Sequence, residues 1–358
     1  MRAVICRSGG ANAYADAPFE YAAEWPRPQL GDLHDTFHHL PCPAAATCLV
    51  RVGFSSMNPA DRGTDDHRTP KVMGSDIAGT IIAVGPGCSR LKVGDEVWGD
   101  IGANASFSTA AAGGAVTTKQ LGAWAEVCVA LETQLSLKPS NITQLEAGVL
   151  PKVALTSWKA LAWYADARAW SSRTGGAPTV LILNGSSGCG TCAIQIARAF
   201  GAKAVHTTCS ARNVEYCRSL GADTVVDYTN EAWVDAFGPD SLDVVYDCIG
   251  EASSGDGAMA TLRSGGCFVS IRGVSAEAEN ARDDVSQSSF INSDTNLDSW
   301  EVLDELTAMV ESEALRMRRI EQVFELAQID AALAQSATSR TVGKVAIRCA
   351  GELSAASL

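Results

Sequence analysis

From about residue 145 onward the chain alternates short, unbroken apolar runs with helix-like segments, and this alternation narrows the possible folds more than any other feature. The runs are "PTVLILN", "AKAVHTTC", "DTVVDY", "LDVVYDCIG" and "GGCFVSIRG"; among them lie "TCAIQIARAFG" and "NVEYCRSLG". A strand that is apolar on both faces has to be covered on both, which is the situation of a parallel sheet between two layers of helices, so the pattern predicts a doubly wound α/β unit. Residues 46–98 are written differently. "TCLVRVGF", "DIAGTIIAVG" and "VGDEVWG" are short runs punctuated by Gly, Pro, Asn and Asp, which predicts a β-rich unit with no convincing helix. At 358 residues the chain is long enough for two cores, at about 100–200 residues per domain. "SWEVLDELTAMVESEALRM" is helical by period, and "TVGKVAIRCA" ends the chain as a strand able to return to the first unit. Segments 26–46 and 102–119, rich in small, polar or Pro residues, read as surface loops.

The stretch "VLILNGSSGCGTCAIQIARAFGA", residues 180–202, joins a strand to a helix through glycines and serines. Gly185, Ser187 and Gly190 occupy the three positions of a G-x-G-x-x-G dinucleotide loop, with serine in the middle. In such a loop the first glycine makes the tight turn, the second admits a pyrophosphate to the backbone, and the third lets helix and strand pack closely. A serine at the second position adds bulk but brings a hydroxyl able to donate to a phosphate oxygen. An overlapping frame, Gly188-x-Gly190-x-x-Ala193, starts later after the strand and is the weaker fit. The loop predicts contacts to a dinucleotide from Gly185, Ser186, Ser187, Gly188, Cys189 and Gly190. Beyond the next strand, where an NAD site carries a carboxylate about 20 residues on, the chain has Ser210 and Arg212. A hydroxyl beside a guanidinium suits a 2′-phosphate, so the cofactor expected is NADPH; the alternative is that Arg212 is one more solvated charge. Cys189 and Cys192 form a C-x-x-C pair at the helix start, where a dithiol would be reactive. Set inside a phosphate loop, they read better as small apolar residues.

Formal net charge is −13 with no block of Lys or Arg, which argues against nucleic acid as a partner. No stretch reaches the roughly 18–20 apolar residues of a membrane span. The start "MRAVICRSGG" reads as a strand rather than a signal peptide, and twelve irregularly spaced cysteines suit a reducing compartment. The cytoplasm is therefore expected, with a trimmed organellar presequence also compatible. The five histidines show no ligand spacing.

Taken in order, "RVGFSSMNPADRG", "VMGSDIAGTIIAVGPGCSRLKVGDEVWGD", "GAWAEV", "VALTSWKAL", the glycine stretch and "CRSLGADTVVDY" resemble the medium-chain dehydrogenases/reductases, in the zinc-free quinone oxidoreductase branch. The resemblance covers nearly the whole chain and leaves 26–46 and 102–119 as apparent insertions. It implies a GroES-like β-barrel catalytic domain over 1–147 completed by 296–358, and a Rossmann domain over 148–295, with the active site in the cleft and a possible homodimer. Zinc-dependent members carry a cysteine where this chain has "MNPAD" and Gly-His-Glu where it has Gly74-Ser75-Asp76. A structural-zinc cysteine quartet is also missing, so no metal is expected. The resemblance gives Asn58 and Thr156 positioning roles at the nicotinamide and substrate. It sets Tyr228 over the 2′-phosphate, and assigns Cys248, Ile249, Ser270, Ile271, Gly273 and Lys344 to the cofactor. Lys152, just before Thr156, offers a cation near the cleft or a plain solvated charge.

The expected activity is hydride transfer from NADPH to a quinone or an α,β-unsaturated carbonyl. Two alternatives stand beside it: a zinc-free alcohol or aldehyde reductase, and a cofactor-binding regulatory protein with little catalysis.

Overall fold

A computed structural model describes residues 1–6, 19–30, 46–62, 71–102, 122–170, 172, 176–290 and 299–350. The expected loops at 26–46 and 102–119 lie for the most part outside the described residues. The chain divides into two compact units, Met1–Lys152 with Ser293–Glu311 and Arg319–Leu358, and Val153–Asn292 with Ser312–Arg318.

The first unit is built on one long strand. Its strands are β1 (Ala3–Cys6), β2 (Phe19–Ala22), β3 (Thr47–Met57), β4 (Lys71–Val72), β5 (Asp76–Val84), β6 (Glu96–Asp100), β7 (Val127–Leu131) and β8 (Leu135–Leu137), joined by β15 (Ile320–Glu325) and β16 (Lys344–Arg348). The main sheet runs β15-β16-β3-β5-β6-β8, with β7 also on β3. With eleven residues, β3 is long enough to be shared. Its first half pairs with β7 from Thr47↔Leu131 to Arg51↔Val127, and its second with β16 from Phe54↔Arg348 to Met57↔Val345. The last described strand of the chain thus completes a sheet begun near residue 47. Val50, Val52, Ile77, Ile81, Val97, Leu135, Val345 and Ile347 meet in its core with Trp124, whose indole donates to the Ser56 carbonyl at 3.1 Å.

The second unit holds β9 (Thr179–Leu183), β10 (Ala204–Cys209), β11 (Thr224–Asp227), β12 (Leu242–Asp247), β13 (Leu262–Ser270) and β14 (Ser286–Ser289). Their order is β11-β10-β9-β12-β13-β14, and every pairing is parallel. The chain builds outward from β9 on one side, then crosses over to build from β12 on the other. The carboxyl ends of β9 and β12 therefore flank a topological switch point, where open α/β sheets take their ligands. The expected doubly wound sheet is present, with β12 buried along its full length.

The tail departs from expectation. A helix predicted over 299–317 runs only over Trp300–Glu311. Glu313 takes a left-handed φ of 64°, which ends the helix, and the segment beyond it buries Leu315 and Met317. Gln195 fixes this segment by donating to the Arg316 carbonyl at 2.9 Å and accepting from its N–H at 3.0 Å. A side chain more than a hundred residues away overrides the local helical period.

Gly79 on β5 lies opposite Val52 on β3, and a Cβ there would fall on the Arg51 carbonyl oxygen. We expect Gly79→Ala to lower unfolding free energy by about 1–3 kcal/mol in denaturant titrations, through strain in a packed interior. Unchanged stability would contradict the close approach of β3 and β5.

Candidate active site

The turn after β9 is set by local contacts. Asn184 adopts φ 67° and donates its N–H to Thr208 Oγ1 at 2.8 Å, while the Gly185 N–H donates to the Thr208 carbonyl at 2.9 Å. A Cβ on Gly185 would strike the Thr207 hydroxyl, which is itself held on the Ile182 carbonyl at 2.6 Å. A Cβ on Gly190 would meet the Asn184 carbonyl and the Gly185 backbone. These two positions meet the spatial demands of the first and third glycines of a dinucleotide loop. Gly188 is already the first residue of the helix Gly188–Ala199, so the later frame is not the one built. Ser187 corrects an expectation. Its hydroxyl caps that helix, accepting from the Gly190 N–H at 3.0 Å and donating to the Asn184 carbonyl at 2.8 Å, so its proton is engaged within the turn rather than offered to a phosphate. Cys189 is half-buried and Cys192 fully buried, and neither is in a disulfide.

At the end of β10, Ser210 opens a short turn, Ala211–Asn213, and Arg212 within it is exposed. Asn213 escaped sequence reasoning. Its amide reaches Ser186 Oγ at 3.2 Å and Ser210 Oγ at 3.3 Å, joining the turns that follow two adjacent strands. Tyr228, after β11, is 59% exposed. At the end of β12 the buried Asp247 carboxylate accepts from the N–H groups of Ile249 and Gly250, each at 2.8 Å, and from Ser254 Oγ at 2.7 Å. It thereby shapes the loop carrying Cys248 and the exposed Ile249, and it too went unread in the sequence. Burial, with Cys189 and Asp247 nearby, pushes the Cys248 thiol well above its ordinary pKa. Ser270 is buried and accepts from the Arg272 N–H at 3.2 Å; Ile271 donates its N–H to the Asp247 carbonyl, and Gly273 turns with φ 76°.

The first unit gathers the remaining candidates, Thr156 excepted, into a buried polar cluster. Asn58 follows β3, Ser75 and Asp76 lead into β5, Asp100 ends β6, Lys152 opens the helix Pro151–Lys159, and Lys344 opens β16. Asn58 is the hub. Its Nδ2 donates to Asp61 at 2.9 Å and Asp76 at 2.8 Å, and its Oδ1 accepts from Lys344 Nζ at 2.5 Å. Its amide is therefore engaged at both ends by the protein. Lys344 also donates to the Met57 carbonyl at 3.1 Å and lies 3.6 Å from Asp76 Oδ2. Expected at the cofactor, it is here an internal cation of the first unit. Lys152 pairs with Asp100 at 3.1 Å, and its backbone N–H donates to Asp76 Oδ1 at 2.6 Å. Burial works against the Lys152 ammonium, but Asp100, Asp61 and Asp76 outweigh it and hold its pKa above the ordinary lysine value. Burial raises the Asp61 pKa; Lys152 and the donors Ser75 and Asn58 offset this in part. Thr156, one turn along from Lys152, is buried as well.

A metal does not fit here. Asp76 is enclosed by the Ser56 hydroxyl, the Asn58 amide, the Lys152 N–H and the Lys344 ammonium, so a further cation would meet donors and like charge. Among the described residues, no group of three or more His, Cys, Asp or Glu side chains is arranged to hold an ion.

Two family models match. One, described as alcohol dehydrogenase GroES-like domain, covers residues 44–140; the other, described as zinc-binding dehydrogenase, covers 188–311. The chain is 34% identical over 235 residues to the 2-methylene-furan-3-one reductase of Solanum lycopersicum, a match covering 63% of this chain and 55% of that protein. It is 34% identical over 234 residues to the NADPH-dependent alkenal/one oxidoreductase, chloroplastic, of Arabidopsis thaliana, with the same coverage of 63% and 55%. The chain thus spans about half the length of these relatives. Its fold matches the quinone oxidoreductase of Coxiella burnetii with a TM-score of 0.75 at 24% identity, covering 98% of this chain and 99% of that one. No helix among the described residues is long and apolar enough to cross a membrane.

The raised pKa of Asp61 has a consequence for stability. The folded state binds this proton more tightly than the unfolded chain does. Its contribution is therefore complete below the ordinary carboxylate pKa and is lost as pH rises through the folded-state value. We expect the stability of wild type minus that of Asp61→Asn to fall as pH rises from about 4 and then to level off, in urea unfolding at a series of pH values. A difference independent of pH would mean that Asp61 titrates as a solvated carboxylate.

Proposed function

The chain belongs to the medium-chain dehydrogenase/reductase superfamily, in its quinone oxidoreductase-like branch, and on that premise we propose that it reduces an α,β-unsaturated carbonyl or a quinone with NADPH, without zinc. The observation that carries the proposal is the turn after β9: neither Gly185 nor Gly190 has room for a Cβ, and the turn stands at the switch point of a parallel sheet. The names of the tomato and Arabidopsis relatives, a furanone reductase and an alkenal/one oxidoreductase, support the enone as electron acceptor.

In this reading the turn 185–190 holds the pyrophosphate through backbone N–H groups other than those of Gly185, Ser187 and Gly190, which are bonded within the fold, and Ser210 and Arg212, with Tyr228 above them, hold the 2′-phosphate. The loops at Cys248–Ile249 and at Ser270, Ile271 and Gly273 line the rest of the dinucleotide. When bound, the nicotinamide supplies a hydride. The protein has to orient the acceptor and steady the negative charge that forms on its oxygen. Lys152 suits the second task, because its carboxylate neighbours keep it protonated in a buried setting where a fixed charge acts strongly. Asn58 and Lys344 act through that neighbourhood by fixing Asp76 and Asp61, and Thr156 is a positioning hydroxyl. The cytoplasm, a reducing compartment, belongs to this reading, since twelve irregularly spaced cysteines suit reducing conditions. A homodimer is part of the same reading.

Steady-state NADPH oxidation against a panel of enones, quinones and aldehydes tests the assignment; we expect turnover with enones or quinones to exceed that with simple aldehydes. Faster aldehyde turnover would make the protein a carbonyl reductase, and NADPH binding with no turnover on any member would make it a regulatory binder. We expect Arg212→Ala to weaken NADPH about tenfold or more in calorimetric titration, and NADH hardly at all. Equal loss for both would remove Arg212 from the 2′-phosphate site.

A further inference from the structure

We propose that Asn213 sets the preference for a 2′-phosphorylated cofactor by fixing the direction in which two serine hydroxyls donate. The proposal rests on the NADPH reading above and adds to it a residue that touches no cofactor. Asn213 is 7% exposed and Ser186 6% exposed, and Nδ2 of the one lies 3.2 Å from Oγ of the other; Ser210 Oγ is 3.3 Å from the same nitrogen. An amide NH2 has two protons to give and accepts nothing. When it donates to a serine oxygen it occupies a lone pair and leaves the hydroxyl proton for another acceptor. One Asn213 side chain can do this for both serines at once, one proton each. The result is two hydroxyl donors on two neighbouring turns, prepared for an anion.

Two features of the local structure strengthen this inference. A serine that opens a helical turn normally turns its hydroxyl back to accept a backbone N–H. Ser210 opens the turn Ala211–Asn213 without any such bond; the Asn213 N–H goes instead to the Ser210 carbonyl at 2.8 Å. The Ser210 hydroxyl is thus left to the Asn213 amide. Ser187, its neighbour in the glycine turn, has its proton committed to the Asn184 carbonyl, so Ser186 is the serine of that turn whose oxygen the amide holds. The chain carries a formal charge of −13, and a phosphate dianion is repelled by the summed field unless donors are arranged for it locally. Arg212 supplies charge from an exposed position, and the two serines supply direction. An aspartate of the same shape would accept both hydroxyl protons, turn them inward and add a like charge.

The test is calorimetric titration with two probes, 2′,5′-ADP and 5′-AMP, of wild type, Asn213→Ala, Asn213→Asp, Ser186→Ala/Ser210→Ala, and the last combined with Asn213→Ala. Wild type is expected to prefer 2′,5′-ADP. Asn213→Ala should weaken 2′,5′-ADP about tenfold and 5′-AMP less than about twofold, and the isosteric Asn213→Asp should weaken 2′,5′-ADP further. Without the two serines, Asn213→Ala should cost nothing more, because the residue acts through them. Undiminished preference for 2′,5′-ADP in Asn213→Ala, equal weakening of both probes, or the same loss with the serines absent would each overturn the role of Asn213 while leaving the NADPH reading intact. If Asn213→Ala does not fold, Asn213→Asp decides alone, and a retained preference in it overturns the proposal. Equal binding of the two probes by wild type would overturn both the proposal and the NADPH reading.

Discussion

Charge taken out of water has to be answered where it sits, and in the first unit that requirement governs how distant pieces of chain are joined. Asp61, Asp76 and Asp100 are buried with Lys152 and Lys344, and the Asn58 amide ties the first two carboxylates to the second ammonium. The five charges come from a short turn after β3, the start of β5, the end of β6, the start of a helix and the start of β16. Removing one partner of a buried set leaves its neighbour uncompensated, at a cost of about 3–5 kcal/mol, so each segment constrains the others. The same network engages Ser75 and Asp76: the Ser75 hydroxyl donates to Asp61, and Asp76 accepts from the Asn58 amide beside the Lys344 ammonium. The cluster also contains an ammonium, Lys152, whose proton is secured by three carboxylates.

The second unit solves a different problem. Its central strands β9 and β12 are buried on both faces, so polar chemistry can reach them only at their ends. There the backbone is shaped by side chains that bond to it. Asp247 holds the loop after β12 through two N–H groups, Ser187 caps the helix after β9, and Asn213 spans from one turn to the next. A rigid edge of this kind lets N–H groups and hydroxyls be aimed before a ligand arrives, which lowers the ordering cost of binding.

Much of this was legible in the sequence. Apolar runs without alternation announced the parallel sheet, because burial on both faces leaves no other pattern, and the glycines at 185 and 190 announced the turn, because a side chain would not fit there. The direction of individual bonds was not legible. Ser187 has the right chemistry for a phosphate but is engaged as a cap, Lys344 is drawn into the cluster by Asn58, and the helix expected to reach Met317 stops at Glu311 because Gln195 claims the irregular segment beyond it. Asn213 has no local signature, whereas Asp247 has that of an Asx turn, accepting from the N–H groups two and three residues on. For Lys344, Gln195 and Asn213 the outcome depends on a partner far along the chain that the local pattern does not identify.

The central claim is that hydride reaches the β-carbon of an enone with no metal polarising the carbonyl. Its most direct test is turnover of an enone with NADPH deuterated at the transferred C4 position, after exhaustive dialysis against a chelator, with the product read by NMR. With the same deuterated cofactor, the rate is expected to be equal before and after dialysis, with deuterium on the β-carbon. Deuterium on the carbonyl carbon, or a rate lost on dialysis and restored by zinc, would contradict it.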